Sequence, residues 1–138
     1  ELQDHSVDNL LPIILRCMEE NKPPTIFGND YPTFDGTCIR DYVDVRDVAR
    51  AHLKVSESSH DLPLALNVGT GRGYSVREVI ELVMRVHGVE RKKVYESSRR
   101  EGDPAYLCAD INLIWKSIGF KSDYSLKDSI ESLFASQR

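Results

Sequence analysis

Apolar residues recur at three-to-four spacing along much of the chain, and each recurrence is bounded by capping or turn chemistry. Leu10, Leu11, Ile14, Leu15 and Met18 form the first such stripe, with Ser6, Asp8 and Asn9 before it as N-caps, which predicts a helix from about Asn9 to Glu20. Pro12 suits the first turn, where its missing N–H would be unpaired anyway, and Asn21 with Pro23-Pro24 ends the helix. Val48, Ala51, Leu53 and Val55 predict a second helix, capped by Asp44 or Asp47 and fading into Ser56-Glu57-Ser58-Ser59. Ser75-Val76-Arg77-Glu78 has the pattern of a capping box and opens a third, whose core face of Val79, Ile80, Val83 and Val86 runs to a stop at Gly88. Two more close the chain, from Asp110 to Ile118 before Gly119, and from Ser125 to about Ser136 with Leu126, Ile130, Leu133 and Phe134 inward.

Between the helical stretches lie short strand patterns: Thr25-Ile26-Phe27, Tyr42-Val43, the apolar run Leu64-Ala65-Leu66-Asn67-Val68, and Lys93-Val94-Tyr95-Glu96. The stretch from Phe27 to Tyr42 reads differently. Asn29-Asp30, Pro32 and Asp35-Gly36 cannot form a regular element, so a long loop is predicted. Its four aromatics and its arginine argue for order and for a ligand with a flat ring and an anionic group, the alternative being a solvated connector.

Length and charge narrow the picture. The 138 residues suffice for a single domain with its own core, and the net charge of −4 argues against a nucleic-acid surface, leaving Arg91-Lys92-Lys93 as a solvated patch. No apolar run approaches membrane-spanning length, so no membrane partner is expected. Cys17, Cys38 and Cys108 have no pairwise metal spacing and read as reduced, mostly buried thiols of a cytoplasmic protein. The first residues, Glu1-Leu2-Gln3-Asp4, read neither as a signal peptide nor as a natural start, which suggests a portion of a longer chain.

Catalytic chemistry is hard to find. His5, His52, His60 and His87 lack a ligand spacing, no Gly-x-Ser-x-Gly elbow occurs, and Asp41, Asp44 and Asp47 read as caps and ion-pair partners rather than a cation site. Gly69-Thr70-Gly71-Arg72-Gly73 follows a strand pattern and precedes a helix, but its spacing departs from a dinucleotide fingerprint, and a tight turn is the better reading. Recognition chemistry is present instead: Arg40 and Arg100 as planar forks for phosphate, Asp103 as an acceptor for sugar hydroxyls, and Phe27 as a ring to cover a base.

Phe27-Gly28-Asn29-Asp30-Tyr31-Pro32-Thr33, Asp35-Gly36-Thr37, Arg40-Asp41-Tyr42, Asn67-Val68-Gly69-Thr70-Gly71 and Arg99-Arg100-Glu101-Gly102-Asp103 occur in the order and spacing of UDP-glucose 4-epimerases. Asn9-Leu10-Leu11-Pro12 resembles a further motif of that family, and the match covers essentially the whole chain but only the family's C-terminal portion. The resemblance implies a small α/β C-terminal substrate-binding lobe of an extended short-chain dehydrogenase/reductase, without its Rossmann domain, with residues 1–138 forming one UDP-sugar-binding domain. It implies that Asn9 and Leu10 contact the nucleotide portion, Phe27 the uracil, Arg40 and Arg100 the diphosphate and Asp103 the ribose, with Tyr42 and Val76 lining the pocket and Leu107 beside the sugar. Asp44 stands where many members have histidine, and Leu107 where others have tyrosine or cysteine.

No Gly-x-x-Gly-x-x-Gly loop and no Tyr-x-x-x-Lys pair occurs in these residues, so no catalytic role is carried over. By resemblance, the full-length parent is an NAD-dependent enzyme interconverting UDP-galactose and UDP-glucose. The expectation for this chain alone is that it binds a UDP-sugar, holds neither NAD nor a metal, does not catalyse, and self-associates in the absence of an N-terminal Rossmann domain. The alternatives are a non-catalytic nucleotide-sugar-binding or interaction domain, or a portion of another nucleotide-sugar epimerase or decarboxylase.

Overall fold

A computed structural model describes residues 9–89 and 93–136. In chain order the elements are α1 (Leu10–Glu19), β1 (Thr25–Phe27), β2 (Ile39–Asp41), α2 (Val45–Ser56), β3 (Gly73–Ser75), α3 (Val76–Val86), β4 (Tyr95–Ser97), β5 (Tyr106–Leu107), α4 (Asn112–Ile118) and α5 (Leu126–Ser136). They divide into two compact units, each built from two separate stretches of chain: residues 9–38 with 75–103, and residues 39–74 with 104–136.

In the first unit α1 packs against α3; of the stripes expected from the sequence Ile14, Leu15, Met18, Val79, Ile80 and Val83 are buried, Leu10, Leu11 and Val86 are half-buried, and Met84, not expected, joins the core. Full burial of such a side chain contributes roughly 1.5–3 kcal/mol, so the α1–α3 contact is a main source of this unit's stability. α1 ends in a Schellman arrangement, with the Lys22 N–H donating to the Cys17 carbonyl at 2.8 Å and Asn21 taking the left-handed position at φ 55°. At α3 the predicted capping box is present: Ser75 Oγ accepts from the Glu78 N–H, and the Glu78 carboxylate from the Ser75 N–H. β1 pairs in parallel with β4, setting Phe27 opposite Ser97. The fourth strand pattern therefore forms, displaced toward Ser97.

The loop after β1 is ordered by its own polar groups. Asp35 accepts from both the N–H and the hydroxyl of Thr37, at 2.9 and 2.8 Å, and from the Ser75 hydroxyl at 2.5 Å. Burial pushes the Asp35 carboxyl up, but the Ser75 and Thr37 hydrogen bonds outweigh it and hold it below the usual range. Gly36 sits at φ +78°, where a Cβ would lie 2.1 Å from the Asn29 carbonyl oxygen, so only glycine closes this turn without a shift.

The second unit contains the sheet ordered β3-β2-β5, with β2 and β5 parallel and Arg40 opposite Leu107. Ala51, Ile114 and Phe120 form its core cluster, with Leu66, Val68, Ile111 and Ile118 packed against it. Asp44 caps α2 by accepting from the Arg46 N–H at 2.9 Å, pairs with the Arg46 guanidinium and takes the Ser129 hydroxyl at 2.7 Å. Asp47 is fully buried; it pairs with Arg50 and accepts from the N–H groups of Asp123 and Tyr124, both at 3.1 Å, which fastens α2 to the chain entering α5. Capping and ion pairing thus account for both aspartates.

Two expectations need correction. Tyr42-Val43 is not a strand, because the ladder to β5 is made by Ile39–Asp41 just before it. Leu64–Val68 is not a strand either: among the described residues no strand pairs with it. Leu66 and Val68 turn to the core cluster while Leu64 is fully exposed. The predicted second helix forms as α2, with Leu53 and Val55 57% and 41% exposed and Ala51 buried. Arg91 and Lys92 of the basic patch, like His5 and the caps Ser6 and Asp8, lie outside the described residues.

Candidate functional site

Parallel pairing of β1 and β4 brings their carboxyl ends side by side, and the expected binding residues of the first unit follow from it. Phe27 ends β1 and is 37% exposed, and Arg99 and Arg100 follow β4. The Gly28 N–H donates to the Ser97 carbonyl at 2.9 Å, extending the ladder one step beyond β1. The Arg100 guanidinium lies 4.2 Å from the centre of the Phe27 ring. The following turn brings the Asp103 N–H to the Arg100 carbonyl at 3.3 Å, leaving Asp103 half-buried. Asn9 and Leu10 lie at the start of α1 and Val76 at the start of α3, in the same unit.

The two arginines differ in commitment. Arg99 donates to the Asp30 carboxylate at 2.5 Å and to the Asp30 carbonyl, with its guanidinium over the Tyr31 ring. Arg100 pairs with no carboxylate among the described residues, so its N–H groups remain for an anion. Beside them, Gly28, Asn29, Asp30 and residues 96–99 line an open cleft of about 370 Å³. Arg77 and Asn29 both donate to Glu96 there, at 2.8 and 2.7 Å, and chiefly the Arg77 bond holds that carboxyl below its usual range.

Arg40, Tyr42 and Leu107 belong to the second unit. Arg40 in the middle of β2 and Leu107 at the carboxyl end of β5 are ladder neighbours, and the Arg40 guanidinium donates to the Ile39 carbonyl at 2.7 Å. Leu107 is 60% exposed. Tyr106, not singled out by motif, is equally exposed, and a Cβ on Gly73 would lie 3.5 Å from its hydroxyl. The period-two alternation of a strand is the signal that marks its face as opposite to that of Leu107.

Asp41 was read as a cap or ion-pair partner, but its role is longer in range. Its carboxylate accepts from the Thr70 hydroxyl at 2.6 Å, the Thr70 and Gly71 N–H groups at 3.0 Å and the Ala109 N–H at 3.3 Å, with Cys108 Sγ 3.6 Å away. Gly69 permits this approach, since a Cβ there would lie 2.6 Å from Asp41 Oδ2. Burial and the Asp41 charge push the Cys108 thiol up, so it stays protonated at neutral pH. The glycine turn therefore encloses an internal carboxylate, and these amides are not available to a dinucleotide pyrophosphate. The described residues do not fit NAD at the Gly69–Gly71 turn.

Residues 2–69 match the NAD dependent epimerase/dehydratase family. The UDP-glucose 4-epimerase of Halalkalibacterium halodurans is 38% identical over 134 residues, 94% of this chain. The chain belongs to the epimerase/dehydratase family. UDP-arabinose 4-epimerase 1 of Arabidopsis thaliana is 40% identical over 115 residues, 82% of this chain. A crystal structure of a UDP-glucose 4-epimerase from Stenotrophomonas maltophila, with bound NAD and formylated UDP-arabinopyranose, matches the whole chain at a TM-score of 0.82 and 33% identity. The chain covers 40%, 27% and 44% of these three epimerases respectively, and the part it matches is their C-terminal part. The small α/β fold is thus that of the C-terminal part of larger UDP-sugar 4-epimerases.

Proposed function

We propose that the chain is the UDP-sugar-binding portion of an NAD-dependent UDP-glucose 4-epimerase, which in its entirety interconverts UDP-galactose and UDP-glucose in the cytoplasm. The observation that carries the reading is the Phe27–Arg100 pair: a partly exposed ring and an uncommitted guanidinium at the carboxyl ends of two parallel strands, where ligands of open α/β sheets bind. In the first unit Arg100 supplies planar donors for phosphate and Asp103 a carboxylate for the ribose hydroxyls; in the second, Arg40 supplies planar donors of the same kind. Phe27 meets the uracil, and Asn9 and Leu10 the nucleotide, with Val76 in the same unit; in the second unit Tyr42 and Leu107 face the sugar. Hydride transfer is NAD chemistry, and its residues belong to the part of the epimerases that this chain does not cover. What these residues do is bind and orient the nucleotide sugar. Calorimetric titration with UDP, UDP-glucose and dTDP-glucose tests this. The reading expects saturable binding of the two uridine ligands and weaker binding of the thymidine one; no heat with any of them overturns it.

A further inference from the structure

Three separate stretches of the second unit meet on one carboxylate. Asp41 ends β2, and its oxygens take donors from residues 70–71 and from Ala109, two positions past Leu107. The Thr70 hydroxyl adds the shortest of these bonds, at 2.6 Å. A cap needs one or two such bonds; this carboxylate gathers a turn and the exit of a neighbouring strand. Side chains alternate along a strand, so anchoring Asp41 on one face of β2 fixes the backbone from which Arg40 leaves on the other. The Ala109 bond does the same for β5, holding Leu107 in register with Arg40.

We propose that Asp41 is a positioning residue for nucleotide-sugar recognition: by tying the carboxyl ends of β2 and β5 to the Gly69–Gly71 turn, it holds Arg40 and Leu107 where the diphosphate and the sugar meet them. This rests on the reading that Arg40 and Leu107 face a nucleotide sugar. Asp41→Asn keeps the shape but turns an amide toward N–H donors, replacing acceptance with repulsion. Thr70→Val serves as the milder variant, removing the hydroxyl that donates to Asp41 and accepts from the Arg72 N–H while keeping the backbone bonds to Asp41.

The experiment is calorimetric titration of the wild-type chain, Asp41→Asn, Thr70→Val, Arg40→Ala and the two doubles carrying Arg40→Ala, each with uridine monophosphate, UDP and UDP-glucose. Asp41→Asn weakens UDP-glucose binding about tenfold, the scale of a lost charge-assisted hydrogen bond, and Thr70→Val by roughly threefold. Uridine monophosphate binding changes less than twofold. In the Arg40→Ala background either substitution adds less than its single effect, since the group it positions is gone. A merely structural role would weaken all three ligands alike and add fully to Arg40→Ala, which overturns the proposal. So does unaltered UDP-glucose affinity in folded Thr70→Val or Asp41→Asn while Arg40→Ala weakens it. Equal UDP-glucose affinity in wild type and Arg40→Ala overturns instead the reading on which the proposal rests.

Discussion

The guanidinium of Arg100 lies 4.2 Å from the centre of the Phe27 ring, although Arg99 and not Arg100 carries the ion pair of that segment. Two consecutive arginines thus do different work. Arg99 fastens the loop through Asp30 and Tyr31, and Arg100 presents its donors outward from an aromatic support. Arg100→Ala is therefore expected to weaken UDP binding by roughly 1.5–3 kcal/mol, the range for hydrogen bonds to charged groups. Arg99→Ala should change affinity much less and lower the unfolding midpoint more. Equal losses of affinity in calorimetry would show that nonspecific charge explains the binding.

Stability should fall in acid, and Asp44 should be one reason. Hydrogen bonding from Arg46 in the first place, and from Ser129, holds the Asp44 carboxyl well below its usual range. A depressed pKa means that the unfolded chain takes up its proton first, at about pH 4, so the contribution is full above that range and is lost as the pH falls toward the folded value. Asp44→Asn retains a good N-cap but not the ion pair. Denaturant midpoints at pH 6 and pH 3 should converge in this variant relative to wild type; an unchanged gap would exclude Asp44 as a source.

Gly36→Ala should cost roughly 1–3 kcal/mol of stability, the scale of a strained backbone conformation, and more if the Asn29 carbonyl cannot move. The left-handed φ and the 2.1 Å approach to that carbonyl act together. Urea unfolding measures the loss. A midpoint equal to wild type would mean that the turn rearranges freely.

Leu64 is fully exposed, and Leu53 and Val55 present further apolar surface in the same unit. Self-association is the expected outcome, with a sedimentation mass that rises with concentration. Leu64→Lys should reduce it. A strictly monomeric chain at high concentration would leave the exposed leucines without consequence.

Incubated with UDP-galactose and excess NAD, the chain alone should give no UDP-glucose. Epimerisation needs a hydride acceptor and a base held within a fraction of an ångström of the sugar, and ground-state binding by itself does not raise the chemical rate. Turnover that survives removal of contaminating epimerase would mean that these residues hold a reaction centre.

Features encoded within a few residues were legible before the fold was known. Ser75 with Glu78 and Ser125 with Asp128 form the capping pairs that their spacing announces, and Asn21 terminates α1 as an αL residue does. Long-range partnerships were not. The two-residue β5 is too short to leave a pattern, and β2 forms earlier than Tyr42-Val43 because ladder pairing with β5, not local propensity, decides its place. Leu64–Val68 carries a strand's composition without a strand's partner. Phe27 and Arg100 could be named as ring and fork, but that the fork sits on the ring depends on β1 pairing with β4, which no local motif records. Asp41 was hidden by its neighbours: the three-residue recurrence with Asp44 and Asp47 suggested one shared role, whereas its donors come from 29 or more positions away.

The chain enters and leaves the two units alternately, crossing after Cys38, after Tyr74 and after Asp103. Neither unit is a continuous stretch, so no single cut of the gene yields one intact half. During synthesis the first unit has all its strands once residue 97 has emerged, whereas the second waits for β5, α4 and α5. Until then β2 and α2 lack their partners, and the parallel pairings must close loops of many tens of residues, which is slow. Truncation before α4 should therefore spare the α1–α3 packing and abolish the Ala51–Ile114–Phe120 cluster, making the order of emergence from the ribosome an order of assembly.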